Sequence, residues 1–202
     1  MGRTMILHDT RLEGRTPLNY NYVFLVNGNR AISSIISGVA SHARACGGLD
    51  LLHIFCHGYE GDLNIGGRVC TGIERGGFGL HLGREGLTLV NVGLTSAWKK
   101  LVRTIVIYAC APADTAPGNE GTRGDGQRLC GEMALYTGAD VIAARDTQYY
   151  NTGNATYRGG RVVGDTIDFG AWEGPVYRFS RDTGYPVTIA AGSYNMANPR
   201  AV

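Results

Sequence analysis

The fold is decided by LLHIFCHGYEG (residues 51–61) and TIVIYACAPAD (residues 104–114). In each segment a mostly apolar run stops abruptly, at His57-Gly58 in the first and at Ala109-Cys110 in the second. Runs of this kind are typical of strands that are buried on both faces of a parallel sheet. Because ligands bind beyond the carboxyl ends of such strands, the pattern directs attention to His57 and Cys110.

Elements of the same kind flank these two segments. Apolar residues at helical spacing between 32 and 43 predict a helix that ends at Gly47-Gly48, and Asp125 is expected to cap a second helix that ends at Gly138. Further strands are predicted at 22–26, 141–144 and 176–179, and small β-hairpins at DLNIG (62–66) and GLHLG (79–83). The alternation of strands and helices indicates an α/β fold, a mostly parallel central sheet with helices on both faces.

The length of 202 residues suits a single domain. We expect residues 1–20 to form an N-terminal arm and residues 111–126, which are rich in Gly, Pro and Asp, to form a flexible loop. Residues 146–202 are expected to be a Gly-rich part that contains β-strands. A hydrophobic content of 44% with 18% charged residues argues against intrinsic disorder.

Charge and hydropathy exclude several classes of partner. The net charge of +2 is small and forms no basic stripe, so we expect no nucleic-acid partner. No run approaches the roughly 18 apolar residues of a membrane span, and the first 15 residues lack the apolar core of a secretory signal. We therefore expect no membrane association and a location in the cytoplasm, or delivery as an effector by a specialised system.

The five cysteines are an odd number without a CxxC pair. They are interpreted as free thiols of a reducing compartment, with neither a disulfide framework nor a zinc site. We expect no metal and no organic cofactor.

His57 and Cys110 together suggest thiol chemistry. A thiol is mostly protonated at neutral pH, so a nucleophilic cysteine needs an imidazole that takes its proton. The same imidazole can then protonate a departing amine. Gly58 lets a substrate carbonyl approach the backbone, so its N–H and that of Cys110 are candidates for an oxyanion hole.

His57 precedes Cys110 by 53 residues, a spacing close to that found in caspases. An apolar strand that ends in His-Gly, followed by a second apolar strand that ends in Cys, resembles the caspase-like (clan CD) cysteine peptidases, and the bacterial CHAT-type branch more than the animal caspases. The resemblance covers about residues 20–145. It implies a caspase-like three-layer sandwich, with His57 as general base, Cys110 as nucleophile and Gly58 as oxyanion donor.

Three residues are candidates for determining which substrate side chain the protein binds. Asp146 follows the strand at 141–144 and Asp114 follows Cys110; either carboxylate could attract a basic side chain at P1, the substrate residue before the cleaved bond. By the resemblance, Arg30 lies where caspases place an arginine that reads an acidic P1. We favour a basic P1. The resemblance also makes Arg123 and Asp125 candidate self-cleavage points, because zymogens of the family are cut in this loop. For the three specificity residues the alternative is a solvated loop charge, and for the two cleavage points it is a mobile surface loop without processing.

The predicted function is that of a cysteine endopeptidase which acts on a protein or peptide substrate. A regulatory protein partner and the oligomeric state stay open. Two alternatives remain, namely a catalytically silent caspase-like interaction module, suggested by the altered Tyr108-Ala109-Cys110-Ala111-Pro112 turn, and another thiol-dependent acyl-transfer enzyme. His53 is interpreted as a core histidine and His81 as a surface residue of a hairpin.

Overall fold

The computed structural model describes residues 3–17, 22–59, 63–64, 68–69, 76–150, 156–158, 161–163 and 166–194. The helices are α1 (Ile32–Ala45), α2 (Gly126–Thr137) and a 3₁₀ helix (Val92–Trp98). The strands are β1 (Thr4–Asp9), β2 (Tyr22–Val26), β3 (Leu51–Phe55), β4 (His57–Tyr59), β5 (Leu63–Asn64), β6 (Arg68–Val69), β7 (Gly79–His81), β8 (Thr104–Tyr108), β9 (Asp140–Ala144), β10 (Thr156–Arg158), β11 (Arg161–Val163), β12 (Val176–Phe179) and β13 (Pro186–Ile189).

A seven-stranded sheet of order β13-β12-β9-β8-β3-β1-β2 forms the centre of the protein. The strands from β9 to β2 in this order pair in parallel, and β12 and β13 continue the sheet antiparallel. The predicted α/β class with a mostly parallel sheet is confirmed. The carboxyl ends of β1, β3, β8 and β9 therefore meet at one edge, which we call the upper edge.

The N-terminal segment differs from the arm that we expected. Residues 4–9 form β1, which lies between β2 and β3 inside the sheet, and Met5, Ile6 and Leu7 are fully buried. The strand at 22–26 takes the edge position instead, where Leu25 is 54% exposed. The upper edge thus includes Asp9, the last residue of β1. Residues 1–2 and 18–20 of the expected arm lie outside the described residues.

The expectation of helices on both faces is wrong for the part of the chain that the structure describes. Buried residues of α1, α2 and the 3₁₀ helix all pack against one face of the sheet, in a single apolar cluster. The connections from β2 to β3, from β3 to β8 and from β8 to β9 progress across the sheet in one direction. Right-handed crossovers that progress in one direction lie on the same face, so the helices collect there.

The opposite face is covered by irregular chain and aromatic side chains. Ile167, Phe169 and Trp172 pack on it against Phe55 and Tyr108. The Tyr108 ring stacks on the Trp172 ring, with the centroids 4.8 Å apart and the planes 3° from parallel. Leu12, from the connection between β1 and β2, joins the same cluster, as expected for a connection that runs in the reverse direction.

The small hairpins are confirmed in part. GLHLG supplies β7, but its antiparallel partner is β4, directly after β3, so that His57 pairs with His81. The hairpin predicted at 62–66 is described only through β5, which pairs antiparallel with β6; residues 62 and 65–67 lie outside the described residues. In the C-terminal part, β10 pairs with β11, and residues 151–155, 159–160, 164–165 and 195–202 are likewise outside.

Candidate active site

His57 and Cys110 follow neighbouring strands at the upper edge. β3 and β8 are neighbours in parallel register, with Phe55 opposite Tyr108, and each candidate stands two residues beyond that pair. A Cβ atom added to Gly58 would lie 1.9 Å from the carbonyl oxygen of Cys110 and 2.9 Å from its nitrogen. The backbone at Gly58 is therefore in direct contact with the backbone of Cys110.

One ring nitrogen of His57 has a definite partner. Nε2 lies 3.1 Å from the main-chain carbonyl oxygen of Arg11. Since a carbonyl oxygen can only accept, Nε2 carries the proton in this hydrogen bond. In the neutral ring Nδ1 is then the basic nitrogen, and it is the atom that could take a proton from a thiol.

Cys110 lies at a sharp turn and is partly exposed. It forms an isolated antiparallel bridge with Thr147, and the next residue, Ala111, has φ 47°, in the left-handed region that residues other than glycine seldom adopt. Strained backbone of this kind clusters at functional sites. Burial raises the pKa of the Tyr150 phenol, and a hydrogen bond with the main chain of Glu13 opposes this shift.

The other described cysteines differ from Cys110 in burial or in their position in the fold. Cys56 and Cys130 are fully buried, and burial raises the pKa of each thiol. Cys46 is partly exposed like Cys110, but it follows α1, next to Gly47 and Gly48, and its Sγ donates to the carbonyl oxygen of Gly48 at 3.4 Å. Cys70 lies outside the described residues. Cys46 is therefore a natural reference for the reactivity of Cys110.

The two predicted specificity carboxylates, Asp146 and Asp114, both influence the guanidinium of Arg145. Asp146 precedes Thr147, the residue that bridges to Cys110, and its Oδ1 is 2.8 Å from Nε of Arg145. The hydrogen bond from Arg145 to Asp146 raises the pKa of the Arg145 guanidinium, and the nearby Asp114 carboxylate raises it further. Both acids thus act on one exposed cation of the chain itself.

Arg30 lies apart from these acids. Its guanidinium carbon is 4.7 Å from the centre of the Phe24 ring, on the edge strand β2. Two strands, β1 and β3, separate β2 from β8. The structure therefore does not bring Arg30 to Cys110.

The loop at 111–126 is built from turns that one carboxylate holds together. Asp125 accepts hydrogen bonds from the Thr115 hydroxyl at 2.8 Å, from the Gly121 N–H at 2.8 Å and from the Arg128 N–H at 3.0 Å. The last of these bonds caps α2, as predicted. Arg123 lies exposed on the outside of the same loop. Of the two candidate cleavage points, Arg123 is the accessible one.

Sequence reasoning missed two charged residues at the upper edge. The Asp9 carboxylate is fully buried and accepts from Arg11, with Oδ2 2.7 Å from Nη2 and Oδ1 2.8 Å from Nε. Arg11 also donates to the ring of His81, which is half-buried and not on the surface as we expected. The signal in the sequence was weak, because the apolar run MIL at 5–7 is only three residues long and is followed by His8 before Asp9.

Over the described ranges, no group of three or more His, Cys, Asp or Glu side chains is placed to hold a metal ion. Of the helices that the structure describes, none is both long enough and apolar enough to cross a bilayer. Comparison with protein-family models, with curated proteins and with solved structures found no match to the chain.

Proposed function

We propose that this protein is a cysteine endopeptidase of caspase-like architecture, with Cys110 as nucleophile and His57 as general base and acid. The observation that carries the proposal is the placement of both residues after neighbouring strands in equal register, with the Gly58 backbone against that of Cys110. The hydrogen bond from His57 Nε2 to the Arg11 carbonyl supports it, because it leaves Nδ1 as the proton acceptor.

The proposed reaction has two stages. The Cys110 thiol gives its proton to His57, and the sulfur attacks the carbonyl carbon of the peptide bond. The N–H groups of Gly58 and Cys110 stabilise the negative oxygen, and His57 returns the proton to the departing amine. Water then loses a proton to His57 and hydrolyses the acyl-enzyme, which regenerates the thiol.

The surroundings of Cys110 favour a substrate with a basic P1 residue. Asp146 and Asp114 already attract the guanidinium of Arg145, a residue of the chain itself. A substrate arginine or lysine that displaced Arg145 would meet the same two carboxylates. The substrate class proposed is therefore a protein or peptide that is cut after Arg or Lys.

Thiol labelling tests the nucleophile directly. Brief treatment of the folded protein with iodoacetamide, followed by peptide mass spectrometry, should modify Cys110 well ahead of Cys46, although both are partly exposed. His57→Gln should reduce the Cys110 rate toward that of Cys46. Equal labelling of the two thiols, or a Cys110 rate that does not depend on His57, would count against the dyad.

A panel of fluorogenic peptides with Arg, Lys or Asp at P1 tests the reaction. We expect cleavage after Arg and Lys, abolished in Cys110→Ala and unchanged in Cys46→Ala. Silence across the panel, with Cys110 no more reactive than Cys46, would favour the interaction module. Product formed only when an added amine captures the acyl group would favour an acyltransferase.

A further inference from the structure

The buried carboxylate of Asp9 organises the turn that follows β1. It accepts from the Nε and Nη2 atoms of Arg11 and also from the main-chain N–H groups of Arg11 at 3.2 Å and Gly83 at 2.8 Å. Burial opposes ionisation, but the hydrogen bonds and the charge of Arg11 hold the pKa of Asp9 below its ordinary value. The pair is therefore ionised, and it joins the end of β1 to the turn after β7.

The guanidinium of Arg11 also reaches the strand that lies beside His57. Its Nη2 donates to the carbonyl oxygens of Gly83 at 2.7 Å and of His81 at 3.1 Å, and Nη1 donates to the His81 ring. His81 is paired with His57 in the β4–β7 ladder. The side chain of Arg11 thus holds β7, while its main-chain carbonyl accepts from the ring of His57.

A buried ion pair is seldom retained for stability alone, since desolvation offsets much of the attraction between the two charges. Here the main-chain N–H of Arg11 donates to Asp9, and its guanidinium donates to the carbonyl oxygens of β7 and the turn after it. Contacts at both ends of the residue thus hold the backbone of Arg11 in place. The position of the Arg11 carbonyl decides whether His57 keeps its proton on Nε2 and presents a basic Nδ1.

We propose that the Asp9–Arg11 pair is a positioning element for His57: by holding the Arg11 carbonyl in place, it sets the orientation and tautomer of the imidazole. This inference rests on the proposed function for its catalytic consequence but not for its structural content. Neither residue is proposed to touch the substrate.

A matched control exists at the amino ends of the parallel strands, opposite the upper edge. Asp140, the first residue of β9, accepts from Arg181 through the main-chain N–H at 3.1 Å, through Nε at 3.1 Å and through Nη2 at 2.9 Å. These are the same three donor atoms that Arg11 presents to Asp9. Asp140→Asn therefore weakens an equivalent pair far from Cys110 and reports on the general cost of such a change.

The test compares Asp9→Asn and the milder Arg11→Lys, which keeps a cation but loses the planar fork, with Asp140→Asn. Nitrogen NMR of the His57 ring identifies the protonated nitrogen, and the pH dependence of Cys110 alkylation reports the base. We expect the first two variants to populate both tautomers and to alkylate Cys110 on the order of 10²-fold more slowly at neutral pH. Asp140→Asn should change only the unfolding temperature.

An unchanged tautomer and an unchanged alkylation profile in folded Arg11→Lys would overturn the inference. Circular dichroism establishes which variants are folded. If both site variants fail to fold, the wild-type spectrum still decides, because a proton found on Nδ1 of His57 contradicts the assigned geometry. The tautomer can be measured without turnover, so it tests the positioning role even if peptides are not cleaved. A lack of cleavage across the peptide panel would bear on the proposed function alone.

Discussion

Gly58 and Cys110 are in such close backbone contact that a methyl group at position 58 would overlap the carbonyl of Cys110, with 1.9 Å between the two atoms. The obstacle is main chain and not the end of a side chain, so it cannot rotate away. The ends of β3 and β8 can keep their spacing only with glycine at this position.

We expect Gly58→Ala to separate the two strand ends. The overlap should lower the free energy of unfolding by about 1–3 kcal/mol or more, as other overpacked substitutions do. It should also reduce the iodoacetamide rate of Cys110 toward that of Cys46. Chemical unfolding measures the change in the free energy of unfolding, and thiol labelling measures the change in the Cys110 rate. Gly93→Ala is the control, because its added methyl would meet Tyr136 at an ordinary 3.7 Å. Equal behaviour of the two variants would contradict the tight contact.

Arg145→Ala should increase cleavage after arginine. Removal of the guanidinium takes away the cation that competes with a basic P1 side chain for the Asp146 carboxylate. The Arg145–Asp146 pair is about half exposed, and exposed pairs are worth up to about 1 kcal/mol, so we expect kcat/KM to rise by up to about fivefold. Arg3→Ala breaks a similarly exposed pair with Asp50 and should leave kcat/KM unchanged. A fall in kcat/KM for Arg145→Ala would show that the substrate does not use these acids.

We expect self-processing to take place after Arg123 and not after Asp125. Arg123 is exposed, whereas the Asp125 carboxylate holds three groups of its own loop. Intact mass spectrometry should find a fragment that ends at Arg123 in the wild type and not in Cys110→Ala. Arg123→Gln should prevent the cut and keep activity on short peptides. A fragment that ends at Asp125 would contradict the assignment.

His53 should make the fold sensitive to acid. Burial lowers its pKa from 6.5 to about 3, and its ring stacks on Tyr108. As the pH falls below 6.5, the unfolded chain binds a proton at His53 that the folded protein does not bind. Above pH 6.5 His53 therefore does not reduce the free energy of unfolding. As the pH falls from 6.5 toward 3, the free energy of unfolding decreases by up to about 1.4 kcal/mol per pH unit.

The variant His53→Phe should remove much of this decrease, which urea unfolding at pH 7 and pH 4.5 would measure. Part should remain, because burial also lowers the pKa of His8. His42→Phe, at a partly exposed position of α1, is the control and should keep the full decrease. An identical loss of stability in the wild type and in His53→Phe would contradict the prediction.

Several features were predictable because they depend on local pattern. Apolar runs that stop at His57 and Cys110 identified the ends of β3 and β8, and Asp125 with Gly138 bounded α2 as expected. The segment TMILHD could not be predicted as a central strand in this way, because its apolar core is three residues long and polar residues flank it. Its place inside the sheet comes from pairing with two distant strands.

The sequence alone determined where β3 and β8 end, and therefore that His57 and Cys110 are candidates for chemistry, because burial and strand termination are read within a few neighbouring residues. The order of the strands was decided only by tertiary structure. That order gathers the helices on one face, joins β4 to β7, and brings Asp9 and Arg11 to His57. Such contacts link residues 20 or more positions apart, and no local pattern carries the free energy that selects one pairing over another.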